Sequence, residues 1–247
     1  MQKLYLLLFL LGSYHLSFGT TIAIAINSDS VVMTADSKLH LISNATSRDS
    51  SVVATKIYQS GNYYFGIANF IAAPVNKFFA AKIIDKHLKK EVLQEAIQNS
   101  EVEIKAAIQN VLLYDKKHHI KSLTALLIPN GSICQVGIIG IENAKPFACI
   151  ISFTITDVAK LEVGAKDFFL KYDNKSTGIA ILGQYEASKS EIQNLLDQSL
   201  SLIEVTKRIV EIEIQAKPDD VGYPIDVVAL TRTDEKWFGK KEGPVRF

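Results

Sequence analysis

Apolar residues alternate with other residues in some segments of the chain and recur at helical spacing in others. The order of these segments limits the possible folds more than any other feature of the sequence. Apolar and small residues alternate in "TTIAIAI" and "VVMTADSK", on either side of the turn-like segment "NSDS", as in a β-hairpin. The segment "KIYQSGNYYFGIA" predicts a second hairpin that turns at residues 60–62. The N-terminal part of the fold is therefore predicted to consist of paired antiparallel strands.

Two helical regions interrupt further strands, because apolar residues recur there at helical spacing. The first region has a break near residues 89–90, and the second covers residues 188–215. The apolar positions of the first region are Ile71, Val75, Phe78, Phe79, Ile83, Ile104, Ile108, Val111 and Leu112. The remaining strand-like segments are "LTALLIP", "SICQVGIIGI", "KPFACIISFTI", "TGIAILGQ" and the closing "YPIDVVALTR". This order predicts an α+β fold in which two sheets pack face to face and helices cover each sheet.

The composition excludes one broad class of partner. The 247 residues include 27 basic and 26 acidic side chains, which gives a formal net charge of +1. Because a nucleic-acid-binding domain needs a basic face, no nucleic-acid partner is expected. A hydrophobic fraction of 48% can supply the core of one domain, and no linker-like run of Pro, Gly or Ser divides the chain. Residues 20–247 are therefore predicted to form a single domain.

Residues 1–19 have the pattern of an export signal peptide. Lys3 gives the charged start, "LYLLLFLL" is an apolar run too short to span a bilayer, and "SFG" has the small-x-small pattern of a signal-peptidase site. Cleavage after Gly19 would make Thr20 the first residue. The protein would then be periplasmic or extracellular, with membrane contact only through the transient signal. An uncleaved anchor or a wrongly assigned start is the alternative.

Two cysteines lie in strand-like segments that the turn "ENAK" joins. In a hairpin centred near residues 142–143, Cys134 and Cys149 come almost opposite each other. An oxidising compartment would permit a cross-strand disulfide, although such a bond between directly paired strands is strained. The sequence leaves both a disulfide and a pair of buried free thiols open.

Thr20 is the candidate nucleophile, because the cut would give it a base of its own. A threonine hydroxyl needs an adjacent base to attack a carbonyl group, and a free α-amine with an unperturbed pKa of about 8 can serve. A nearby cation would lower the pKa of that amine. The register of the first hairpin places Asp36 across from Thr20 or Thr21, where its carboxylate can anchor such a cation.

These residues resemble the β subunits of the proteasome-type N-terminal-nucleophile (Ntn) hydrolases. The shared features are "GTT" at residues 19–21, "ADSK" at residues 35–38, the separation of Thr20 and Asp36 (36 − 20 = 16), "TKIYQ" with Lys56, and "FGIANF". The segments "ILGQYEASKSEI" and "VGYPIDVVALTR" resemble the bacterial proteasome-like branch called Anbu. The resemblance covers the chain from Thr20 to about Arg232.

The resemblance implies the Ntn-hydrolase fold, a four-layer αββα sandwich of two antiparallel sheets covered by helices. Thr20 would be the nucleophile, Lys56 would tune its α-amine, and Asp36 would hold Lys56 in place. Lys38 is a rival cation close to Asp36. A backbone N–H at Asn69 or Phe70 would stabilise the oxyanion. The reaction would be acyl transfer to Thr20 and hydrolysis of the ester, with no metal and no cofactor.

Three departures from the family pattern concern the support of this site. Asp36 and Lys56 are separated by 20 positions (56 − 36 = 20), more than in the family. Asn69 or Phe70 stands at the turn where the family has a glycine. Gly183 and Gly222 stand where the family has supporting glycines, whereas Gln184 and Val221 stand where it has serines. The candidates to replace its supporting aspartate are Asp219 and Asp220.

The sequence thus favours an exported threonine-type hydrolase, peptidase-like, that assembles with copies of itself into a ring or spiral. Two alternatives are a catalytically decayed ring-forming protein with a structural or peptide-binding role, and an amidase on the same fold that acts on a small amide substrate. An intact cluster of Thr20, Asp36 and Lys56 with a free Thr20 amine would separate the two enzymes from the decayed protein.

Overall fold

The computed structural model describes residues 14–16, 20–43, 50–73, 76–118, 131–172, 176–239 and 245–246. The predicted strand "LTALLIP", most of the predicted export signal and part of the segment between Asp36 and Lys56 lie outside these residues. The described part contains four helices: α1 (Ala80–Leu88), α2 (Leu93–Lys117), α3 (Ile192–Asp197) and α4 (Leu202–Ala216). None of these helices combines the length and apolar character that a bilayer crossing needs.

Sixteen strands are present in the same part of the chain. In chain order they are β1 (Tyr14–Leu16), β2 (Thr21–Ile26), β3 (Ser30–Asp36), β4 (Lys38–Ser43), β5 (Ser50–Val53), β6 (Ile57–Ser60), β7 (Tyr63–Asn69), β8 (Ala72–Ala73), β9 (Phe78–Phe79), β10 (Ser132–Glu142), β11 (Lys145–Asp157), β12 (Glu162–Phe169), β13 (Gly178–Gly183), β14 (Ile225–Thr231), β15 (Glu235–Phe238) and β16 (Val245–Arg246).

These strands form three sheets. Sheet I has the order β13-β2-β3-β14-β15, sheet II the order β12-β11-β10-β7-β6-β16, and sheet III the order β5-β4-β1-β8-β9. Neighbouring strands are antiparallel throughout, except that β16 runs parallel to β6. The predicted combination of antiparallel sheets and helices is confirmed, and the four-layer sandwich stays a prediction.

Several clusters of buried apolar side chains connect the sheets and helices, and three of them are large. One cluster combines side chains of sheets I and II: Ile22, Ile24, Met33, Tyr64, Ile139 and Ile150 are among its members. A second joins sheet II to α1 and α2, with Phe65, Val136, Phe153, Ile84, Ile104 and Ile108. A third joins β2 to α4, with Ala23, Val205, Ile209 and Val210. Strand β2 is buried along its whole length because both of its faces contact other elements.

The first predicted hairpin is confirmed as β2 and β3. The side-chain oxygen of Asn27 accepts the peptide N–H groups of Asp29 and Ser30 at 3.0 and 2.9 Å, which closes the turn. Ile22 pairs with Ala35, so Thr21 comes opposite Asp36. The hairpin thereby brings the beginning of the predicted mature chain next to a carboxylate.

The second predicted hairpin is likewise confirmed, as β6 and β7. Ser60 pairs with Tyr63 across the turn, and Gly61 has a φ of 58°. A positive φ of this kind favours glycine. This hairpin carries Lys56 immediately before its first strand and Asn69 at the end of its second.

The prediction of helix is wrong for Phe78 and Phe79, and Val75 lies outside the described residues. Ala72 and Ala73 pair with Phe79 and Phe78 as the short strands β8 and β9, and α1 begins only at Ala80. The rings of Phe70 and Phe78 stack with centroids 5.4 Å apart in the core. Tertiary packing of these aromatic side chains therefore overrides a periodicity that fits a helix equally well.

The expectation that Cys134 and Cys149 lie opposite each other is also wrong. The turn of the β10–β11 hairpin falls on residues 143–144, which pairs Cys149 with Ile138 and Cys134 with Phe153. Both cysteines are buried free thiols. Burial raises the pKa of the Cys149 thiol to about 12 and that of Cys134 further. Neither thiol has the thiolate character that makes a cysteine reactive.

Candidate active site

Asp36, at the end of β3, is fully buried and accepts hydrogen bonds from four donors. Its Oδ1 accepts the peptide N–H of Thr21 at 2.9 Å and the Nζ of Lys56 at 2.8 Å. Its Oδ2 accepts the peptide N–H groups of Lys38 at 2.9 Å and Gly222 at 3.2 Å. Four donors compensate the cost of burying the carboxylate. Asp36 thus holds together the start of β2, the start of β6 and the segment before β14.

Lys56 is 2% exposed and forms a buried ion pair with Asp36. Burial lowers the pKa of Lys56 from 10.5, and the carboxylate of Asp36 acts in the opposite direction. The long separation between the two residues does not prevent their contact, because β4 and β5 pair with each other. Residues 44–49, between these two strands, lie outside the described residues.

Thr20 is 5% exposed and immediately precedes β2. Its carbonyl oxygen accepts the peptide N–H of Gln184 at 2.8 Å. The hydroxyl of Thr21 donates to the carbonyl of Gln184 at 3.0 Å. A Cβ on Gly183 would lie 1.8 Å from the Thr20 carbonyl oxygen, and Gly183 has a φ of 80°. Only glycine fits at position 183 while Thr20 keeps this position.

Asn69 and Phe70, the two candidate oxyanion donors, differ in what their backbone does. The peptide N–H of Phe70 donates to the carbonyl of Ile133 at 2.9 Å. Asn69 has a φ of 68°, a left-handed conformation that asparagine adopts more readily than most residues. Its side-chain amide donates to the carbonyl of Ser132 at 3.0 Å and fixes the turn. Since the N–H of Phe70 is engaged, Asn69 is the better candidate donor.

Gly222 is the supporting residue that the structure brings into direct contact with the cluster. Besides donating to Asp36, it accepts the peptide N–H of Ser37 at 3.0 Å. Asp219 is exposed, and Asp220 is half-buried in the turn after α4, where its N–H donates to the carbonyl of Lys217 at 3.0 Å. Of the two supporting glycines predicted from the sequence, Gly183 therefore contacts Thr20, and Gly222 contacts Asp36.

Lys38 contacts Asp36 in a different way from Lys56. Its peptide N–H binds the carboxylate, whereas its ammonium donates to the carbonyl of Pro218 at 2.7 Å. The ammonium that the carboxylate binds is therefore that of Lys56.

Three residues near the cluster were not singled out from the sequence. Gln135 of β10 accepts the N–H of Gly183 at 2.8 Å, and Lys217, which follows α4, donates to the side chain of Gln184 at 2.6 Å. Asp226 of β14 is fully buried and accepts the hydroxyl of Ser37 at 3.3 Å. An aspartate inside the apolar run "YPIDVVALTR" signals a buried partner, whereas nothing in the local sequence marks Gln135 or Lys217.

The described residues contain no group of three or more His, Cys, Asp or Glu side chains arranged to hold a metal ion. The chemistry that the cluster itself offers is that of a buried carboxylate and ammonium next to a backbone segment that begins with a threonine.

Comparisons with known proteins add little to this geometry. No protein-family model matches the chain, and no curated protein sequence matches it. Among solved structures, the chain is similar to the eukaryotic HslV from Trypanosoma brucei, with a TM-score of 0.46 and 14% sequence identity. The match covers 85% of this chain and 99% of that chain. The function proposed below rests on the contacts within this chain.

Proposed function

We propose that the chain beginning at Thr20 is a threonine-type hydrolase that cleaves amide bonds, of the proteasome-like N-terminal-nucleophile kind. The observation that carries this proposal is the dual role of the Asp36 carboxylate. One oxygen binds both the N–H of Thr21 and the ammonium of Lys56. The ammonium of Lys56 is therefore held close to the N–H of Thr21, one residue after the α-amine that cleavage before Thr20 would free. There its positive charge would stabilise the neutral form of that amine.

In the proposed reaction the α-amine takes the proton of the Thr20 hydroxyl, directly or through one water, as the hydroxyl oxygen attacks the substrate carbonyl. The peptide N–H of Asn69 stabilises the negative oxygen of the tetrahedral intermediate. The protonated amine then gives its proton to the leaving nitrogen, and an ester to Thr20 forms. Water hydrolyses the ester with the amine again acting as base. Lys56 keeps its proton throughout and acts by its charge.

The bond between residues 19 and 20 controls this chemistry. While it is intact, the nitrogen of Thr20 belongs to a peptide group and has no basic lone pair. Signal peptidase is the proposed agent of the cut, because "SFG" precedes Thr20. The active protein would then be exported, to the periplasm or the cell exterior.

Strand β1 favours peptides over small amides as substrates. Tyr14–Leu16 pairs antiparallel with β4 and also with β8, with Leu16 opposite both Leu41 and Ala72. These residues lie just upstream of the bond that must be cut before Thr20. Once residues 1–19 have been removed, the part of a peptide substrate that lies N-terminal to its scissile bond can pair in extended form with β4 and β8. A small amide has no extended backbone that could pair with these two strands.

The three apolar clusters support the four-layer arrangement, because helices contact sheets I and II on the faces opposite the cluster that lies between these two sheets. The proposal that the protein assembles with copies of itself is supported by exposed apolar residues on α2. Val102 and Leu113 are 67% and 48% exposed and lie three helical turns apart on one face. Such residues suit a surface that a neighbouring copy covers.

The decisive experiment tests Thr20 directly with a β-lactone. Attack by the Thr20 hydroxyl oxygen opens the ring, so the ester formed adds the full mass of the lactone and the released oxygen takes the proton. Protein beginning at Thr20 should gain that mass at Thr20, Thr20→Ser should react more slowly, and Thr20→Ala should not react there. Equal labelling of Thr20→Ala and the unmodified protein would refute the proposed nucleophile.

A further inference from the structure

We propose that Lys217 is a positioning residue for Thr20, acting through Gln184. This inference rests on the proposed function, since it concerns how the nucleophile is held. It assigns a task to the residue that replaces the supporting serine and to a lysine that does not contact Thr20 itself. Three sets of contacts support this role: those of Gln184 with Thr20 and Thr21, those of the segment after β13 with its surroundings, and that of Lys217 with Gln184.

Gln184 holds the first two residues of the predicted mature chain with its backbone N–H and its backbone carbonyl. Its N–H donates to the carbonyl of Thr20 at 2.8 Å, and its carbonyl accepts the hydroxyl of Thr21 at 3.0 Å. Gly183 pairs with Thr21 across β13 and β2, and its backbone passes so close to Thr20 that no Cβ fits. Any displacement of the backbone of Gln184 therefore moves the carbonyl of Thr20.

The segment that contains Gln184 is tied to its surroundings at three points. The N–H of Gly183 donates to the side chain of Gln135 at 2.8 Å. The N–H and hydroxyl of Ser188 donate to Oε1 of Glu213 at 2.8 and 2.9 Å. The ammonium of Lys217 donates to Oε1 of Gln184 at 2.6 Å. Two of these three ties come from the last turn of α4 and the residue that follows it.

Lys217 supplies the tie closest to Thr20. Its own position is fixed, because its peptide N–H donates to the carbonyl of Glu213 at 2.8 Å at the end of α4. A hydrogen bond from an ammonium is roughly twice as strong as one between neutral groups. It anchors the end of the Gln184 side chain to the residue after α4, and this limits how far the backbone of Gln184, which holds Thr20, can shift. A nucleophile that is misplaced by about 1 Å can lose about a hundredfold in rate.

The first test measures hydrogen exchange of the Gln184 amide by NMR in the full chain, independently of any activity. Lys217→Met keeps the length of the side chain and removes the donor, and should speed exchange of that amide about tenfold. Lys217→Arg keeps a charged donor and should retain most of the protection. Lys189→Met is the matched control, because Lys189 lies in the same segment with its ammonium 5.9 Å from the ring of Tyr185. Unchanged exchange in Lys217→Met would overturn the inference.

The second test uses β-lactone labelling of the protein that begins at Thr20. Lys217→Met should lower the maximal labelling rate about tenfold or more and leave the half-saturating lactone concentration unchanged. Gln184→Leu should have the same effect, and the double variant should be no worse than either single one. Additive losses in the double variant would overturn the inference. If the unmodified protein is not labelled at all, the proposed function fails, and the exchange measurement alone decides the role of Lys217.

Discussion

At the scale of single residues, the site depends on the ammonium of Lys56, whose buried environment disfavours a charged group. Lys56 is buried, and burial lowers its pKa from 10.5. Its partner Asp36 keeps the cation in place and is itself satisfied by three backbone N–H groups. The arrangement therefore predicts how the reaction depends on pH.

The pH profile of kcat/KM should be bell-shaped, with Lys56 responsible for the alkaline limb. The rate should rise with pH through the pKa of the α-amine, which must be neutral to accept a proton and whose pKa the charge of Lys56 should lower. It should fall as Lys56 loses its proton, at a pH below 10.5, because a neutral lysine no longer stabilises the negative charge that develops when the hydroxyl oxygen attacks. In Lys56→Arg, the alkaline limb should move upward, because arginine stays protonated. An alkaline limb that is identical in Lys56→Arg and the unmodified protein would rule out this role for Lys56. Lys56→Met, which has no charge, should lower the rate about a hundredfold.

Gly183 and Gly61 form a matched pair for a second prediction, since both have a positive φ. A Cβ on Gly61 meets nothing within 4 Å, whereas one on Gly183 would lie 1.8 Å from the Thr20 carbonyl oxygen. Gly61→Ala should lose about 1–2 kcal/mol of unfolding free energy and keep lactone labelling. Gly183→Ala should lose more stability and labelling of Thr20 as well. Thermal melts and labelling rates measure both effects, and normal labelling of Gly183→Ala would contradict the described contact.

The sequence predicts one half of the site better than the other. Thr20 and Asp36 lie in one hairpin, so their proximity follows from strand alternation and turn position alone. Lys217 and Gln184 are 33 positions apart and meet only because α4 packs against sheet I. No local pattern encodes that contact. The sequence does not distinguish the two oxyanion candidates for a similar reason, because only the contact of Phe70 with the segment before β10 shows that the N–H of Phe70 is engaged.

At the scale of secondary-structure elements, the sequence predicts best where one local rule acts. Helix α4 begins where Ser201 and Glu204 form a capping box, and the hairpins follow from alternation and turn residues. The sequence does not predict β12, "EVGAKDFF", because it is an edge strand with only one buried residue and has little apolar alternation. Phe78 and Phe79 are misassigned because short apolar runs fit helices and strands alike.

Strand β1 leads to a prediction about ligands. Its pairing with β4 and β8 implies that the peptide "YHLSFG", residues 14–19, should bind to the protein that begins at Thr20 and compete with a peptide substrate. A version with proline in place of Leu16 lacks one backbone donor and should bind more weakly. Inhibition constants measure the difference. Equal inhibition by the native, proline-containing and scrambled peptides would show that the two strands do not bind extended backbone.

At the scale of the whole molecule, the exposed apolar residues of α2 predict self-association. The protein that begins at Thr20 should form a closed ring of about six or more copies, or an open spiral, at micromolar concentration. Val102→Glu and Leu113→Glu should weaken the assembly, because each places a charge on the exposed apolar face of α2. Val53→Glu, which changes an exposed residue of sheet III, is the control. Light scattering that shows a monomer for the unmodified protein would argue against a proteasome-like chamber and favour a stand-alone amidase.

Removal of the leader should act on the whole molecule as an activation switch tied to export. The uncut chain already holds Asp36 and Lys56 together and encloses Thr20, so the cut adds only the basic amine and frees β4 and β8. Uncut protein retained inside the cell should therefore fold with a similar melting temperature and remain inactive. Protein that begins Met-Thr20 should become active when the methionine is trimmed, which intact mass can follow. Protein with one additional, untrimmed residue before Thr20 has both strands free and lacks only the amine, so it should assemble and stay inactive. If that extended protein hydrolyses substrate as fast as the trimmed protein, the α-amine is not the base, and the coupling of activity to export through this bond is wrong.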